Sequence, residues 1–554
     1  MPSPWSWTPA RATPNTWTRA LWGGEILFAH ATREEPGRGD GMPSCTLRVP
    51  ATHPLTHAHV RRAMRQLRWD HPSVASTVAW DTGAPAFVYA APPSERAVDA
   101  WLDCVVFERK PKAGQSVDEA LDELRSELGR ADAPRGPHEL LLYHVPGPGY
   151  HGLLMYEHHT LFDGLAVWQV LSAILANVAA ALGGAPSTPL NWGEEHARLA
   201  RALPDRTANT FEPQDMAREW PLVERMRDVL TRPSTSFGLP TPHPDAPLGA
   251  TAWFRREYPA SVWRGLNAAG RAAGGRAFAL QFAMILIACL RVSPPAELNA
   301  NGEHQEWAAA EHCVSMPVNP VNLRAQLSVL PPHAVEIVSA IGFKALEARD
   351  LLRFAGANTD ARRAVYQLAR EVQAQSDAQE GWVGDVARCA PAAMKMLGEY
   401  IFAHPPSAHP LKVFGMTNFG VLDGVVGASY PIPAPASPSP APALEVTALY
   451  FHSVMFTRPR TLLPLILHAW TWRGVLTHAW GFSPAHMGAV DERRLGSQFA
   501  GGVGGGVAGG SAEGGARGGE AGGEEGVLEG FVRELERIML VVAEGEEASP
   551  HARL

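Results

Sequence analysis

Residues 152–182 read GLLMYEHHTLFDGLAVWQVLSAILANVAAAL, and this stretch decides the fold class. Its first part, residues 152–157, is an apolar run that predicts a strand. The strand leads directly into His158 and His159. Residues 165–182 are almost all apolar and predict a long buried helix. The sequence therefore predicts α/β organisation, with a polar cluster at a strand-to-helix junction, where functional groups are commonly exposed.

The polar cluster is His158-His159-Thr160-Leu161-Phe162-Asp163-Gly164, which contains the only His-x-x-x-Asp in the chain. An imidazole with a pKa of about 6.5 is suited to act as a general base near neutral pH. Side chains on a strand alternate between faces, so the two histidines cannot both enter one channel. The spacing to Asp163 selects His159 as the catalytic base. Gly164 allows a sharp backbone turn that brings the helix close.

Each of these residues also has a purely structural explanation. His158 is better explained as a packing or supporting histidine than as a catalyst. His159 would alternatively be a core histidine hydrogen-bonded to the backbone. Asp163 would be an anchor turned away to pair with an arginine, or an N-cap of the helix that begins at Gly164 or Leu165. The anchoring and capping roles are compatible.

The chain has 554 residues, more than one hydrophobic core usually organises, so we expect two domains or lobes. Residues 1–185 form the predicted N-terminal lobe with the polar cluster, 186–250 a connector rich in Pro and polar residues, and 251–500 a C-terminal lobe. Residues 501–526 are a Gly-rich flexible linker, and residues 527–554 are a closing helix and tail.

Apolar periodicity predicts further elements in both lobes. Helices are predicted at residues 56–69, 118–128, 277–290 and 527–543. Strands are predicted at residues 139–145, 315–324, 446–457, 462–470 and 475–481. The last two flank Arg473-Gly474, which predicts a hairpin turn.

Composition excludes several classes of protein. Apolar residues make up 46% and charged residues 19%, a globular balance. A net charge of -8 without a Lys/Arg stripe argues against a nucleic-acid partner. Residues 1–19 lack the apolar run of a signal peptide, and residues 277–290 are too short for a membrane span. The five scattered cysteines indicate reduced thiols, so we expect a cytoplasmic protein.

Signals for metal or nucleotide chemistry are weak. Residues 504–509 match Gly-x-Gly-x-x-Gly formally, but they lie in a glycine tract with no preceding strand. The sequence has no zinc-ligand spacing, no Walker A lysine and no Gly-x-Ser-x-Gly elbow. We therefore expect no metal at the site.

The polar cluster resembles the HHxxxDG signature of the CoA-dependent acyltransferase superfamily, which includes condensation domains, alcohol O-acetyltransferases and chloramphenicol acetyltransferase. Residues 191–203 (NWGEEHARLARAL) are similar to a stretch of fungal acetyltransferases of the trichothecene 15-O-acetyltransferase type. Three shorter matches follow the family order: Asp70-His71-Pro72 after the first-lobe helix, PVNPVNLR at 317–324, and Thr417-Asn418-Phe419-Gly420. The resemblance spans residues 20–484, and the segments 430–443 and 501–526 depart from it.

The resemblance implies an α/β fold of two chloramphenicol-acetyltransferase-like lobes with an active-site channel between them. Acceptor and acyl donor would enter from opposite ends and meet at His159. Arg324 is the implied salt-bridge partner of Asp163, with a surface cation as its simpler explanation. Thr417 and Asn418 would line the channel and help to hold an oxyanion, with an ordinary turn as their simpler explanation.

The implied function is transfer of an acyl group, with acetyl expected, from CoA to a hydroxyl of a small secondary-metabolite acceptor. Acyl-CoA would be a co-substrate, and no cofactor would be bound permanently. The expected partners are therefore the acceptor and acyl-CoA, and we expect a monomer. Two other functions stay open: N-acylation or condensation on a carrier-protein thioester, and ligand binding without catalysis.

Overall fold

The computed structural model describes residues 5–34, 37, 39–80, 84–130, 138–184, 189–206, 239, 243, 250–292, 314–322, 324, 341–348, 351–354, 360–378, 415–433, 442–454, 465–488, 490 and 526–544. The helices within these ranges are α1 (Gly24–Glu34), α2 (His57–Asp70), α3 (Glu95–Val105), α4 (Val117–Leu128), α5 (Gly164–Leu182), α6 (Ala260–Ala272), α7 (Ala277–Val292), α8 (Ala361–Ala378), α9 (Pro484–Met487) and α10 (Val527–Glu544).

The strands in the described residues form four sheets. They are β1 (Thr8–Pro9), β2 (Thr16–Ala20), β3 (Ser44–Arg48), β4 (Thr77–Ala79), β5 (Ala86–Ala90), β6 (Val106–Glu108), β7 (Leu140–Val145), β8 (Tyr150–Glu157), β9 (Ala252–Tyr258), β10 (Val314–Asn322), β11 (Ile341–Ala348), β12 (Gly415–Val421), β13 (Ser429–Pro431), β14 (Ala443–Tyr450), β15 (Leu465–Trp472) and β16 (Val475–Phe482).

The largest sheet belongs to the first lobe and has the strand order β13–β14–β3–β8–β7–β6. Alternate residues of β8 face opposite sides of this sheet. Leu153 and Met155 join the core that contains α2 and α5, while Leu154 and Tyr156 pack with α4. Because β8 is covered on both faces, it reads as a continuous apolar run. It carries the chain from the core directly to His158.

The second lobe is built on the sheet β12–β15–β16–β9, in which β12 and β15 are parallel. Its core lies against α6, α7, α8 and α10. Every residue of α7 from Ala279 to Leu290 is buried. Helix α10 contributes Leu528, Phe531 and Leu535 to the same core, so the closing helix is part of the second lobe.

Two strands cross from the second lobe into the first. Strand β14 pairs antiparallel with β3, with Glu445 opposite Arg48 and Tyr450 opposite Ser44, and β13 pairs with β14. Residues 251–500 were predicted to form the C-terminal lobe, but two strands from this range, β13 and β14, belong to the first-lobe sheet. Strand pairing over some 400 residues leaves no local pattern in a sequence.

The beginning of the predicted connector, 186–250, packs on the first lobe. Residues 189–206 contain two 3₁₀ turns, Glu195–Arg198 and Leu203–Arg206. The hydroxyl of Tyr89 donates to Glu195 Oε1 at 2.6 Å, and the Trp7 indole donates to the carbonyl of Ala200 at 2.8 Å. Residues 207–238 of the connector and 501–525 of the Gly-rich linker lie outside the described residues.

One described helix, α5, is long and apolar enough to cross a membrane by length and composition. Most of it is buried in the first-lobe core, as is usual for the core helix of a globular fold. Helices α6 and α7 meet that criterion only as a pair, and they are bent by 98°.

Most predicted helices and strands are confirmed to within three residues at each end. The strand predicted at 446–457 is an exception, because β14 ends at Tyr450, opposite Ser44 at the start of β3; residues 455–457 lie outside the described residues. Helices predicted at 56–69, 118–128 and 165–182 are observed as α2, α4 and α5. The turn at Arg473-Gly474 is also confirmed, with φ of 51° and 74° between β15 and β16. Positive φ at both central residues is what a type I′ hairpin turn requires.

Candidate active site

The loop between β8 and α5 holds His159 in a fixed orientation. The Nδ1 of His159 lies 2.8 Å from the carbonyl oxygen of Phe162. A carbonyl only accepts hydrogen bonds, so Nδ1 carries the proton and donates it. In the neutral imidazole, Nε2 then keeps a free lone pair. The local backbone therefore selects the tautomer that a general base needs.

An aromatic ring from helix α1 covers one face of His159. The rings of Phe28 and His159 are stacked, with centroids 3.6 Å apart and planes 9° from parallel. Helix α1 is itself anchored by a buried bidentate ion pair between Arg19 and Glu25, at 3.0 and 2.8 Å. His159 is thus fixed by a hydrogen bond in its plane and by a ring above it.

Enclosure changes the acidity of His159. Burial disfavours the charged imidazolium and lowers the pKa of His159 from 6.5, against smaller opposing effects of its own backbone, the Phe162 carbonyl, Asp163 and Asp40. The side chain nevertheless keeps part of its surface accessible. At neutral pH His159 is therefore an uncharged base that a small molecule can approach.

Asp163 acts on the backbone and on the second lobe at the same time. Its Oδ1 accepts hydrogen bonds from the amides of Leu165 and Ala166, at 3.0 and 2.8 Å, and so caps α5. Its Oδ2 lies 2.7 Å from a guanidinium nitrogen of Arg324, the partner that the resemblance implied. Both side chains are largely shielded, with 4% and 10% exposed. One carboxylate thus fixes the loop to α5 and to the chain after β10.

His158 points to a different environment. Its Nδ1 lies 3.1 Å from the Thr160 hydroxyl and 3.4 Å from Glu139 Oε2, and its Nε2 lies 3.9 Å from Asp40 Oδ1. The two adjacent histidines therefore have different neighbours. His158 belongs with buried carboxylates, and His159 with Phe28 and the loop backbone.

A group of buried acids lies behind the loop. Glu157 is 2% exposed, and burial, reinforced by the charges of Asp40 and Asp163, raises its pKa well above 4.5. Burial likewise raises the pKa of Glu139. Asp40, which is 1% exposed, accepts a hydrogen bond from Tyr156. Burial therefore favours the neutral form of Glu157, which limits the negative charge beside Asp163.

The second lobe presents Thr417 to Gly420 on β12. The Asn418 amide donates to the buried Gln281 at 2.7 Å, and its oxygen accepts from the Gly420 amide at 2.8 Å. The pairing of β12 with β15 shifts register between Asn418 and Gly420, where Gly420 has φ of 76°. Asn418 therefore shapes this bulge. Thr417 lies opposite His468 in the parallel register.

His468 is a buried member of the site region that no sequence motif indicated. Its Nε2 lies 2.8 Å from the hydroxyl of Ser453. Burial, with a smaller contribution from the nearby His159, lowers the pKa of His468 to about 3. His468 is therefore a neutral hydrogen-bonding group close to His159.

The two lobes touch closely at Gly164. A Cβ added to Gly164 would lie 3.1 Å from Phe419 Cδ1 and closer still to Cε1. Phe419 is held from the other side by Phe451 and His468, with ring centroids 4.8 and 5.8 Å away. The glycine of the signature is thus required by the approach of a second-lobe ring to the start of α5.

We expect Gly164→Ala to reduce the free energy of unfolding by about 1–3 kcal/mol, the usual cost of overpacking. Chemical denaturation measures this change, and the double variant Gly164→Ala/Phe419→Leu should recover most of it. Gly424→Ala is the matched control, because no atom lies within 4 Å of a Cβ at that position. Equal effects of the Gly164 and Gly424 substitutions would contradict the close approach.

Several site residues were not found from the sequence. Phe28, Asp40 and His468 come from elements distant in the chain and belong to no motif. Glu157 gave one signal, because it is a charged residue that ends an otherwise apolar run. Glu157 exchanges two backbone hydrogen bonds with Gly41, at 2.9 and 3.0 Å, and the sequence does not place these two residues together.

No protein-family model and no curated protein matches the chain. Solved structures do. TRI3 trichothecene 15-O-acetyltransferase from Fusarium sporotrichioides aligns with a TM-score of 0.71 and 15% identity, covering 98% of this chain and 99% of that one. The first condensation domain of the calcium-dependent antibiotic synthetase aligns with a TM-score of 0.55 and 13% identity. The alignment covers 95% of this chain and 97% of that one.

The starter condensation domain of rhizomide synthetase, a mutant solved with C8-CoA, aligns with a TM-score of 0.54 and 11% identity over 95% of each chain. The chain therefore has the two-lobed α/β fold of the CoA-dependent acyltransferases and condensation domains. The two-lobed α/β fold that the resemblance implied is confirmed. At these identities the likeness establishes the fold, while the chemistry depends on the site.

Proposed function

We propose that this protein is an acyltransferase that transfers an acyl group, with acetyl as the first candidate, from CoA to a hydroxyl of a small acceptor. The observation that carries the proposal is His159, a neutral base whose Nδ1–H is held by the Phe162 carbonyl. Its position at the contact between the lobes is where two substrates entering from opposite sides would meet. The acetyltransferase among the similar structures supports the same chemistry.

In the proposed reaction, His159 Nε2 takes the proton of the acceptor hydroxyl. The oxygen of that hydroxyl attacks the thioester carbonyl at the same time. The C–S bond then breaks, and the imidazolium returns the proton to the departing CoA thiolate. Thr417 is the better candidate to stabilise the oxyanion, because the amide of Asn418 is already bonded to Gln281. Asp163 and Arg324 hold the loop and do not exchange protons with substrate.

The direct test is CoA thiol release from acetyl-CoA and longer acyl-CoAs, with a panel of alcohols and amines. Release that requires an alcohol and yields its ester supports the proposal. Release only with amines would replace O-acylation by N-acylation. Activity only with an acylated carrier protein would indicate a condensation enzyme, and tight binding of acyl-CoA or acceptor without release would indicate a binding protein.

The lowered pKa of His159 predicts the shape of the pH profile. The base is active when neutral, so kcat/KM should be highest at neutral pH and should fall at acidic pH as His159 becomes protonated. Because burial lowers its pKa, the midpoint of this acid limb should lie below 6.5. Far-UV circular dichroism over the same range is the control for unfolding. A midpoint above 6.5 would contradict the assignment.

A further inference from the structure

A second cluster of ionisable side chains lies in the first lobe, away from His159. His57 begins α2, Glu108 ends β6 and His144 lies in β7, directly opposite Glu108 in the parallel register. His151 lies in the neighbouring strand β8. His144 is four residues from Leu140, the residue of β7 that pairs with Glu157. At about 3.4 Å per residue, this cluster lies roughly 14 Å along the sheet from the candidate active site.

The donor atoms of this cluster converge. One ligand atom from each of His57, Glu108 and His144 lies within 4.8 Å of the other two. His144 is fully buried, and the rings of His57 and His144 are nearly parallel with centroids 6.2 Å apart. The Nδ1 atoms of both histidines are buried and have no hydrogen-bond partner among the described residues. Buried polar atoms without partners are uncommon in folded proteins, and a bound ion is one explanation for two of them side by side.

The other nitrogen of His144 is already in use. Its Nε2 lies 3.1 Å from Nδ1 of the buried His151. When Nε2–H donates to His151, the lone pair of His144 is on Nδ1, the atom without a partner. A hydrogen bond from the second ring nitrogen to a neighbouring acceptor is the usual arrangement of a metal-bound histidine.

We propose that His57, Glu108 and His144 bind a divalent transition-metal ion, with zinc as the best match, and that His151 orients His144. Two imidazoles and one carboxylate are a donor set that zinc takes in proteins, with water in the fourth position. Zinc–nitrogen bonds of about 2.0–2.1 Å put tetrahedral ligand atoms roughly 3.3 Å apart, so the three donors must move closer on binding. His57 is the first residue of α2 and Glu108 is the last residue of β6, and Glu108 is partly exposed. These positions permit the movement.

The bound ion would join α2 to the edge of the first-lobe sheet. Glu108 is at present 3.4 Å from the exposed ammonium of Lys110, a weak surface pair that a metal would replace. The three ligands are at positions 57, 108 and 144, so no short spacing motif connects them. This is why the sequence gave no metal signal although the fold brings the donors together.

The test uses the full chain after treatment with a chelator. Zinc affinity is measured by competition with a chromophoric chelator, and Co²⁺ absorption reports the geometry of the site. We expect one Zn²⁺ per chain and a zinc-dependent rise in Tm. His57→Ala and Glu108→Gln, both near the surface, should abolish the site without unfolding the protein. His151→Ala should weaken binding by about 10–100-fold.

His53→Ala is the matched control, since His53 precedes α2 and lies outside the cluster. Its stoichiometry and Tm shift should equal those of the wild type. The proposal is overturned when the wild type binds no stoichiometric zinc, or when His57→Ala and Glu108→Gln bind zinc as the wild type does. Neither readout depends on acyl transfer, so the outcome is independent of the proposed function.

Discussion

His159→Ala should reduce acceptor-stimulated CoA release by about 10²–10⁴-fold in kcat, the usual contribution of a positioned general base. The variant keeps the loop, because the helix cap at Asp163 and the ion pair to Arg324 do not involve the imidazole. The loss should therefore appear in kcat with little change in Tm. Steady-state kinetics and thermal unfolding of the same preparation separate the two effects.

His158→Ala is the matched control, an adjacent imidazole whose neighbours are Glu139, Asp40 and Thr160. We expect it to retain more activity than His159→Ala and to lose more stability. Added imidazole should restore part of the turnover of His159→Ala and none of that of His158→Ala. Equal rates for wild type and His159→Ala, in an assay where the wild type is active, would exclude His159 as the base.

Substitution of Asp163 should have the largest effect on stability. Asp163→Ala removes the α5 cap and leaves the Arg324 guanidinium without its carboxylate in a site that is only 10% exposed. Breaking a buried ion pair from one side costs about 3–5 kcal/mol. We expect a loss of that size in the free energy of unfolding, measured by urea denaturation, together with weakened contact between the lobes.

Two further variants separate the cap from the ion pair. Asp163→Asn keeps an oxygen that can cap α5, so its cost reports the ion pair alone. Ser94→Ala removes the side-chain cap of α3, which has no such ion pair, and should cost about 0.5–2 kcal/mol. In a double-mutant cycle with Arg324→Ala, strong non-additivity is expected. Additive effects would show that Asp163 and Arg324 do not stabilise each other.

The sequence predicted the elements that local patterns specify. Helix α5 and strand β8 are mostly apolar, and polar residues with local roles adjoin both of them. Asp163 is an example, since N-capping depends only on the two following amides. The hairpin at Arg473-Gly474 likewise depends on the turn residues alone.

Contacts between segments distant in the chain could not be predicted from local patterns. Arg324 could be named as the partner of Asp163 only because the resemblance implied it; nothing near either residue indicates the other. The stacking of Phe28 on His159, the burial of Glu157 and the position of His468 depend on how α1, β8 and β15 pack. The donors of the proposed metal site also come from distant positions in the chain, and only the packing of α2, β6 and β7 brings them together.

The insertion of β14 beside β3 has a consequence for synthesis of the chain on the ribosome. Strand β8 is complete at Glu157, but β14 begins at Ala443. At about 5–20 residues per second, translation of the roughly 290 residues between them takes approximately 15–60 s. During that time the outer edge of β3 has no neighbouring strand, and such edges promote aggregation. The nascent first lobe therefore exposes an unpaired sheet edge until most of the chain has emerged.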